Sequence, residues 1–423
     1  MKKLLICCAI LALVAMDSTG FAEEVSNGWR ANPEIVDALR KRRPLVMYEE
    51  SQVPDYTLPD PLATADGQEI TTPDAWPPRR LEILELFRKH MYGQPPRKPD
   101  TLKFEPVETN EKALDGAATL KRIAIISTFD DRAHRFELKL FIPNAVKQPA
   151  PVFLLINNRS SAENIDTTRQ RKSPFWPVEE MIARGYGIAA FQNTELAPDD
   201  EKTFRDGVLS VIEGDLTQRP GDAPTALGAW AWGASRAMDY FETDPQVDAN
   251  RIAVLGHSRG GKTALLAGAE DERFALVISN NSGACGAALS RRRYGETIKI
   301  THTNDHWFCD NFRKFHDKED ELPFDQHMLI ALSAPRAVYV ASADEDLWAD
   351  PRGEFLSLAH SSPVFALWGN PIISPDEMPP LDTPLYVGRL GYHVRTGKHD
   401  LTPYDWHRFA DLWEKVPSER EDR

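Results

Sequence analysis

Beyond about residue 120 the chain is built of short, continuous apolar runs separated by amphipathic stretches. The runs at 122–127, 136–142, 152–157, 187–192, 251–255, 276–279 and 337–341 are mostly rich in Val, Ile or Ala, as strands buried on both faces are. Between them, 175–184, 225–241, 262–269 and 404–415 carry apolar residues at helical spacing. Strand and helix alternate, which predicts an α/β fold: a three-layer αβα sandwich around a mostly parallel central sheet. Residues 23–110 differ, being rich in proline and polar side chains with one amphipathic pattern at 81–91. They read as an arm that wraps the main domain, 111–423. The segment 199–224, with Asp, Pro and Gly scattered through it, reads as a surface excursion.

The N-terminus changes the picture of compartment. Lys2 and Lys3 precede an apolar stretch from Leu4 to Met16, and Gly20-Phe21-Ala22 supplies small residues before Glu23. This is the pattern of a secretory signal peptide, 1–22, and predicts a secreted or periplasmic protein. Cys285 and Cys309 then remain, either as one disulfide or as two buried thiols. The formal charge of −14 argues against a grip on nucleic acid or an anionic membrane. A monomer is expected.

The chemistry concentrates at Gly256-His257-Ser258-Arg259-Gly260-Gly261-Lys262-Thr263. The first five residues fit the nucleophile elbow G-x-S-x-G of α/β-hydrolases, and the whole run also fits a P-loop. The elbow predicts an acid and then a histidine further along the chain, and both follow. Arg259 at the start of a helix is unfavourable for the helix dipole, which points to a role in binding charge. Among the histidines, His399 follows Gly397 and precedes the last helical pattern, where the base of such a hydrolase sits. His393 falls in an apolar run and His407 inside the helical pattern. The acid is expected after run 337–341, where Asp344, Glu345, Asp346 and Asp350 crowd the loop and position alone does not separate them. His302 and His306 lack an evident third metal ligand. Trp307 and Phe308 read as either a ring-binding wall or core, and Arg291-Arg292-Arg293 as a solvated turn that could orient Glu296.

Three segments together resemble the bacterial glucuronoyl esterases of carbohydrate esterase family fifteen. They are Gly256 to Lys262, Trp348-Ala-Asp350-Pro-Arg-Gly353-Glu354, and Gly397-Lys-His399-Asp400 followed by Asp405-Trp406. The resemblance implies Ser258 as nucleophile, His399 as base, Asp346 as acid and Arg259 as an oxyanion partner. It also implies Lys262, Glu296 and Trp348 as holders of the sugar hydroxyls, with no metal or cofactor. Many relatives carry a glutamate where this chain has Asn281, so the acid is expected from the Asp346 loop alone. The implied substrate is a 4-O-methyl-glucuronoyl ester joining glucuronoxylan to lignin alcohols, cleaved by the catalytic domain 111–423. The rival readings are an acetyl-xylan or other carbohydrate esterase, and more remotely a nucleotide binder or a non-catalytic carbohydrate-binding protein.

Overall fold

The computed structural model describes residues 28–64, 66–214 and 218–416; the expected leader lies outside them. Ten strands form one sheet: β1 Thr101–Ala113, β2 Ala118–Phe129, β3 Arg132–Pro143, β4 Ala150–Asn157, β5 Gly187–Gln192, β6 Val247–His257, β7 Leu276–Asn280, β8 Ala337–Ala343, β9 Leu385–Val387 and β10 Leu390–Arg395. Their order is β1-β2-β3-β5-β4-β6-β7-β8-β10-β9. The stretch from β5 to β10 is parallel, while β1–β2, β2–β3, β3–β5 and β10–β9 pair antiparallel.

Central strand β4 shows why the sheet needs two helical layers. Val152, Leu154 and Ile156 enter one core, and Phe153 and Leu155 enter the other. Alternate residues of a strand face opposite sides, so an unbroken apolar run must be covered twice. Helix Ala226–Phe241 lies in the first layer, with Trp230 fully buried, and its Thr225 side chain caps Gly228 N. Helix Pro403–Lys415 lies in the second, burying Trp406, and starts in a capping box of Thr402 and Asp405.

The seven expected strands are all present. Strand β1 was hidden because most of its side chains are exposed, with Leu102 and Phe104 only partly packed on the core; it is an edge strand whose polar residues carry no core pattern. It begins at Thr101, so residues 101–110 of the presumed arm belong to the sheet. The arm is also more deeply built in than its proline content suggests. Helix Trp76–Phe87 places Pro77 and Pro78 in its first turn, where a missing N–H costs nothing. It buries Trp76, Ile83, Leu84 and Phe87 in the main core. Arg80, from the same helix, donates to the carbonyls of Leu332 and Ala269 at 2.8 and 2.6 Å.

Two expectations are corrected. The segment 199–224 is not simply a surface excursion, because Val208 and Leu209 are fully buried on helix Val208–Glu213. Gly207 permits this docking: a Cβ there would meet the Leu196 carbonyl oxygen at 2.0 Å. The arginine triplet is not a solvated turn either. Arg291 and Arg292 are buried, the first against Asp325 and the second between Glu50 and Asp350. A charge run hides such burial because each cation finds its acid far away in sequence. Of the two readings of the cysteines, buried thiols hold: Cys285 and Cys309 are both free.

Candidate active site

Strand β6 runs between β4 and β7 and ends at His257; helix Arg259–Glu270 starts two residues later. Ser258 makes the turn alone, at φ 58° and ψ −127°. A non-glycine residue at positive φ is strained and persists only where its surroundings hold it. Here Ser258 N donates to Asn280 O at 2.9 Å, and Gly261 N donates to Ser258 O at 2.8 Å. Gly256 is required by the crossing, since a Cβ on it would lie 1.9 Å from Gly260 O. This strained serine is the geometry of a nucleophile elbow. The P-loop reading also loses its lysine: Lys262 Nζ is buried, bound to the carbonyls of Ser282 and Ala284 and to Glu296 Oε2 at 3.2 Å.

Parallel neighbours β8 and β10 bring the other two groups together. Asp346 follows β8 and His399 follows β10, and His399 Nδ1 lies 2.5 Å from Asp346 Oδ2. The rival acids are engaged elsewhere. Asp344 accepts from Gly397 N at 2.7 Å, shaping the histidine loop. Asp350 is buried, paired with Arg292, and caps helix Pro351–Ala366 through Gly353 N. The rival histidines are likewise occupied: His393 is buried between Tyr339 and Asp405, and His407 pairs with Glu180.

His257 connects the elbow to the histidine loop. Its ring centroid lies 4.4 Å from that of His399. Its Nδ1 is 2.6 Å from Asn280 Oδ1 and its Nε2 is 3.3 Å from Arg159 Nη2. Burial first, then the neighbouring His399 and Arg159, hold its pKa well below the ordinary histidine value. It is therefore neutral, with Nδ1–H donating to Asn280 and Nε2 accepting from Arg159. Arg159 also pairs with Asp400 at 2.7 Å, and Asn281 Nδ2 donates to Asp400 O at 3.0 Å. The residue after His399 is thus tied to the core from two directions. Asn281, where relatives were expected to carry an acid, serves as one of those ties.

Arg259, partly exposed, donates to Asn158 O at 3.0 Å and pairs with Asp199. Asp199 also takes His306 Nε2 at 2.9 Å and Trp307 Nε1 at 2.7 Å. The unfavourable position of Arg259 at the helix start is offset by this carboxylate. Nothing in the local sequence marks Asp199, since its partners are distant. Trp307 therefore stands beside Arg259, whereas Phe308 is core. His302 is paired with His316 at 2.8 Å.

Of the expected sugar-holding residues, Lys262 and Glu296 meet directly, and Glu296 N donates to Trp348 O at 2.9 Å. Glu296, its side chain 13% exposed, and Trp348 are partly buried and still reach solvent. Glu354, at the end of the motif that begins at Trp348, is fully buried. Its Oε1 accepts from Ser282 N at 2.8 Å and Gly283 N at 2.9 Å, and its Oε2 accepts from Ser342 Oγ at 2.6 Å. It thereby shapes the turn whose carbonyls hold Lys262.

Burial, reinforced by the charge of Asp346, pushes the Glu354 carboxyl up to about 8, although its hydrogen bonds pull the other way. A raised carboxyl pKa means that folding takes up a proton at neutral pH. The stabilisation is complete below the ordinary value of 4.5 and is lost as pH rises through about 8. Glu354→Gln keeps a carbonyl for the two N–H donors and an N–H for Ser342. It is expected to flatten the fall in melting temperature over that pH range, read by thermal unfolding. An unchanged fall would show that another group carries the alkaline limb.

Residues 126–369 match the family profile described as glucuronyl esterase, fungi. A carbohydrate esterase of an unknown prokaryotic organism is 39% identical over 415 residues, covering 92% of this chain and 95% of that protein. A 4-O-methyl-glucuronoyl methylesterase of Cerrena unicolor is 30% identical over 332 residues, 74% of this chain and 63% of that one. Among solved structures, a glucuronoyl esterase from Solibacter usitatus superposes with a TM-score of 0.80 at 40% identity, covering 86% of this chain and 99% of that one.

Proposed function

The chain belongs to the glucuronoyl esterase family of carboxylic ester hydrolases, and from that premise we propose that it cleaves 4-O-methyl-glucuronoyl esters with Ser258, His399 and Asp346 as its triad. The observation that carries the assignment of roles is the 2.5 Å contact of His399 Nδ1 with Asp346, made beside a strained serine elbow. The carboxylate keeps the proton on Nδ1, leaving Nε2 as the base. Ser258 Oγ attacks the ester carbonyl as Nε2 takes its proton. The tetrahedral oxyanion meets backbone N–H groups at the start of helix Arg259–Glu270 and the Arg259 guanidinium, each such donor being worth about 3–4 kcal/mol. His399 then hands the proton to the departing alcohol, and water, activated by the same imidazole, releases the uronate from the acyl-enzyme.

Lys262, Glu296 and Trp348 hold the sugar hydroxyls on this reading, and the alcohol is that of lignin joined to glucuronoxylan. The leader-like residues 1–22 support export; among the described residues no helix is long and apolar enough to cross a membrane. The test is wild-type hydrolysis of benzyl glucuronate against 4-nitrophenyl acetate. Strong preference for the uronate ester is the expected result. Preference for the acetate would transfer the same residues to an acetyl esterase.

A further inference from the structure

The N-terminal arm reaches the site through segment 43–50. Helix Pro33–Arg42 ends with Arg43 N donating to Leu39 O at 2.7 Å. Val46 N then closes a turn on Arg43 O at 3.0 Å, with Pro44 at its second position. Proline there fixes φ and stiffens the turn. The chain beyond it is anchored on both sides of the sugar-holding residues. Gly295 N, adjoining Glu296, donates to Met47 O at 2.9 Å, and buried Tyr48 packs edge-on against Tyr294. Glu50 accepts from Arg292 Nη1 and Nη2 at 3.0 and 2.7 Å, while Arg292 Nε holds Asp350, two residues past Trp348. Burial raises the Tyr48 phenol pKa, with Arg43 and Arg42 opposing and the charge of Asp346 adding to the rise. The arm therefore lies within electrostatic reach of the proposed acid.

This anchoring sets the Arg43 guanidinium 3.9 Å over the Trp348 ring. Lys41 and Arg42, which precede it in the chain, are both exposed. Arg40 is engaged by Glu49 and Asp37. Lys41, Arg42 and Arg43 form no ion pair among the described residues, in a chain of net charge −14. A cation–π contact of about 0.5–1 kcal/mol accounts for one arginine over Trp348. Lys41 and Arg42 lie in the last turn of helix Pro33–Arg42, where the macrodipole favours a cation, yet none of the three has a carboxylate partner among the described residues, and Arg43 carries its charge onto Trp348.

We propose that this basic turn is a subsite for an anionic polysaccharide: it binds free uronate carboxylates carried on the same glycan as the ester. The inference rests on the uronate-ester reading. An esterified uronate is neutral and needs no cation here, whereas an unesterified neighbour on the same chain is an anion. A guanidinium stacked on an indole keeps its N–H edge for bidentate contact with a carboxylate.

The test compares kcat and KM for benzyl glucuronate and for the same ester carried on a xylan bearing free uronates. The variants are Arg43→Ala, Arg43→Lys and, at an exposed side chain, Arg42→Ala. For Arg43→Ala, kcat/KM on the acidic xylan is expected to fall about tenfold further than on benzyl glucuronate, through KM. Arg42→Ala shifts the ratio in the same direction, and Arg43→Lys restores part of it. The wild-type preference for the acidic xylan is expected to weaken as salt rises from about 20 to 200 mM, and Arg43→Ala to flatten that response. Equal losses on both substrates, or an undiminished salt response, would overturn the inference alone. Absence of wild-type turnover of benzyl glucuronate would overturn the uronate-ester reading and this subsite with it.

Discussion

Ser258→Ala is expected to lower kcat on benzyl glucuronate by on the order of 10⁵–10⁶-fold, the scale seen when a triad serine is removed. The loss should fall on chemistry and leave folding nearly unchanged. Alanine occupies the same backbone conformation as serine, and the bonds that hold the elbow, Ser258 N to Asn280 O and Gly261 N to Ser258 O, are main-chain bonds. The unfolding transition should therefore stay within a degree or two of wild type. Some turnover survives when a triad member is lost, because oxyanion stabilisation and binding remain. Retention of more than about 1% of wild-type kcat would remove Ser258 from the mechanism.

Among Asp344, Asp346 and Asp350, only Asp346→Asn should cost about 10³–10⁴-fold in kcat. An amide at that position cannot hold the proton on His399 Nδ1 or favour the imidazolium, so the base would rest in the wrong tautomer. The two controls separate chemistry from architecture. Asp344→Asn keeps an oxygen for Gly397 N, and its kcat should stay within a few-fold of wild type. Asp350→Asn strips buried Arg292 of one of its two carboxylates; breaking a buried pair costs about 3–5 kcal/mol, so it should appear as a lower melting temperature. A kcat collapse in Asp344→Asn with Asp346→Asn unaffected would reassign the acid.

Local chemistry was read from local sequence. Gly256 to Lys262 is contiguous because strand, turn and helix must follow one another without a gap, and the glycines are dictated by close backbone approach. The place of His399 between Gly397 and the last helix is equally local. The strands of the sheet interior were legible because burial on both faces leaves an unbroken apolar run. Strand β1 was not, because an exposed edge strand is free to be polar. The helix at 76–87 was partly masked by the prolines that its first turn tolerates.

What depended on the fold was every choice among equals and every contact between distant segments. Asp344, Asp346 and Asp350 are the same residue type within seven positions; only the arrangement of β8 beside β10 brings Asp346 to His399. Asp199 holds Arg259 from a segment 60 positions away, and Arg43 covers Trp348 from the far end of the chain. Sequence alone determined the strand–turn–helix elbow at Ser258, since it is written in neighbouring residues whose spacing the backbone enforces. Tertiary structure decided which carboxylate meets His399, what steadies the cation at the elbow, and that Arg43 of the arm stacks on Trp348. Those are meetings of side chains far apart in sequence, and no pattern of spacing along the chain encodes them.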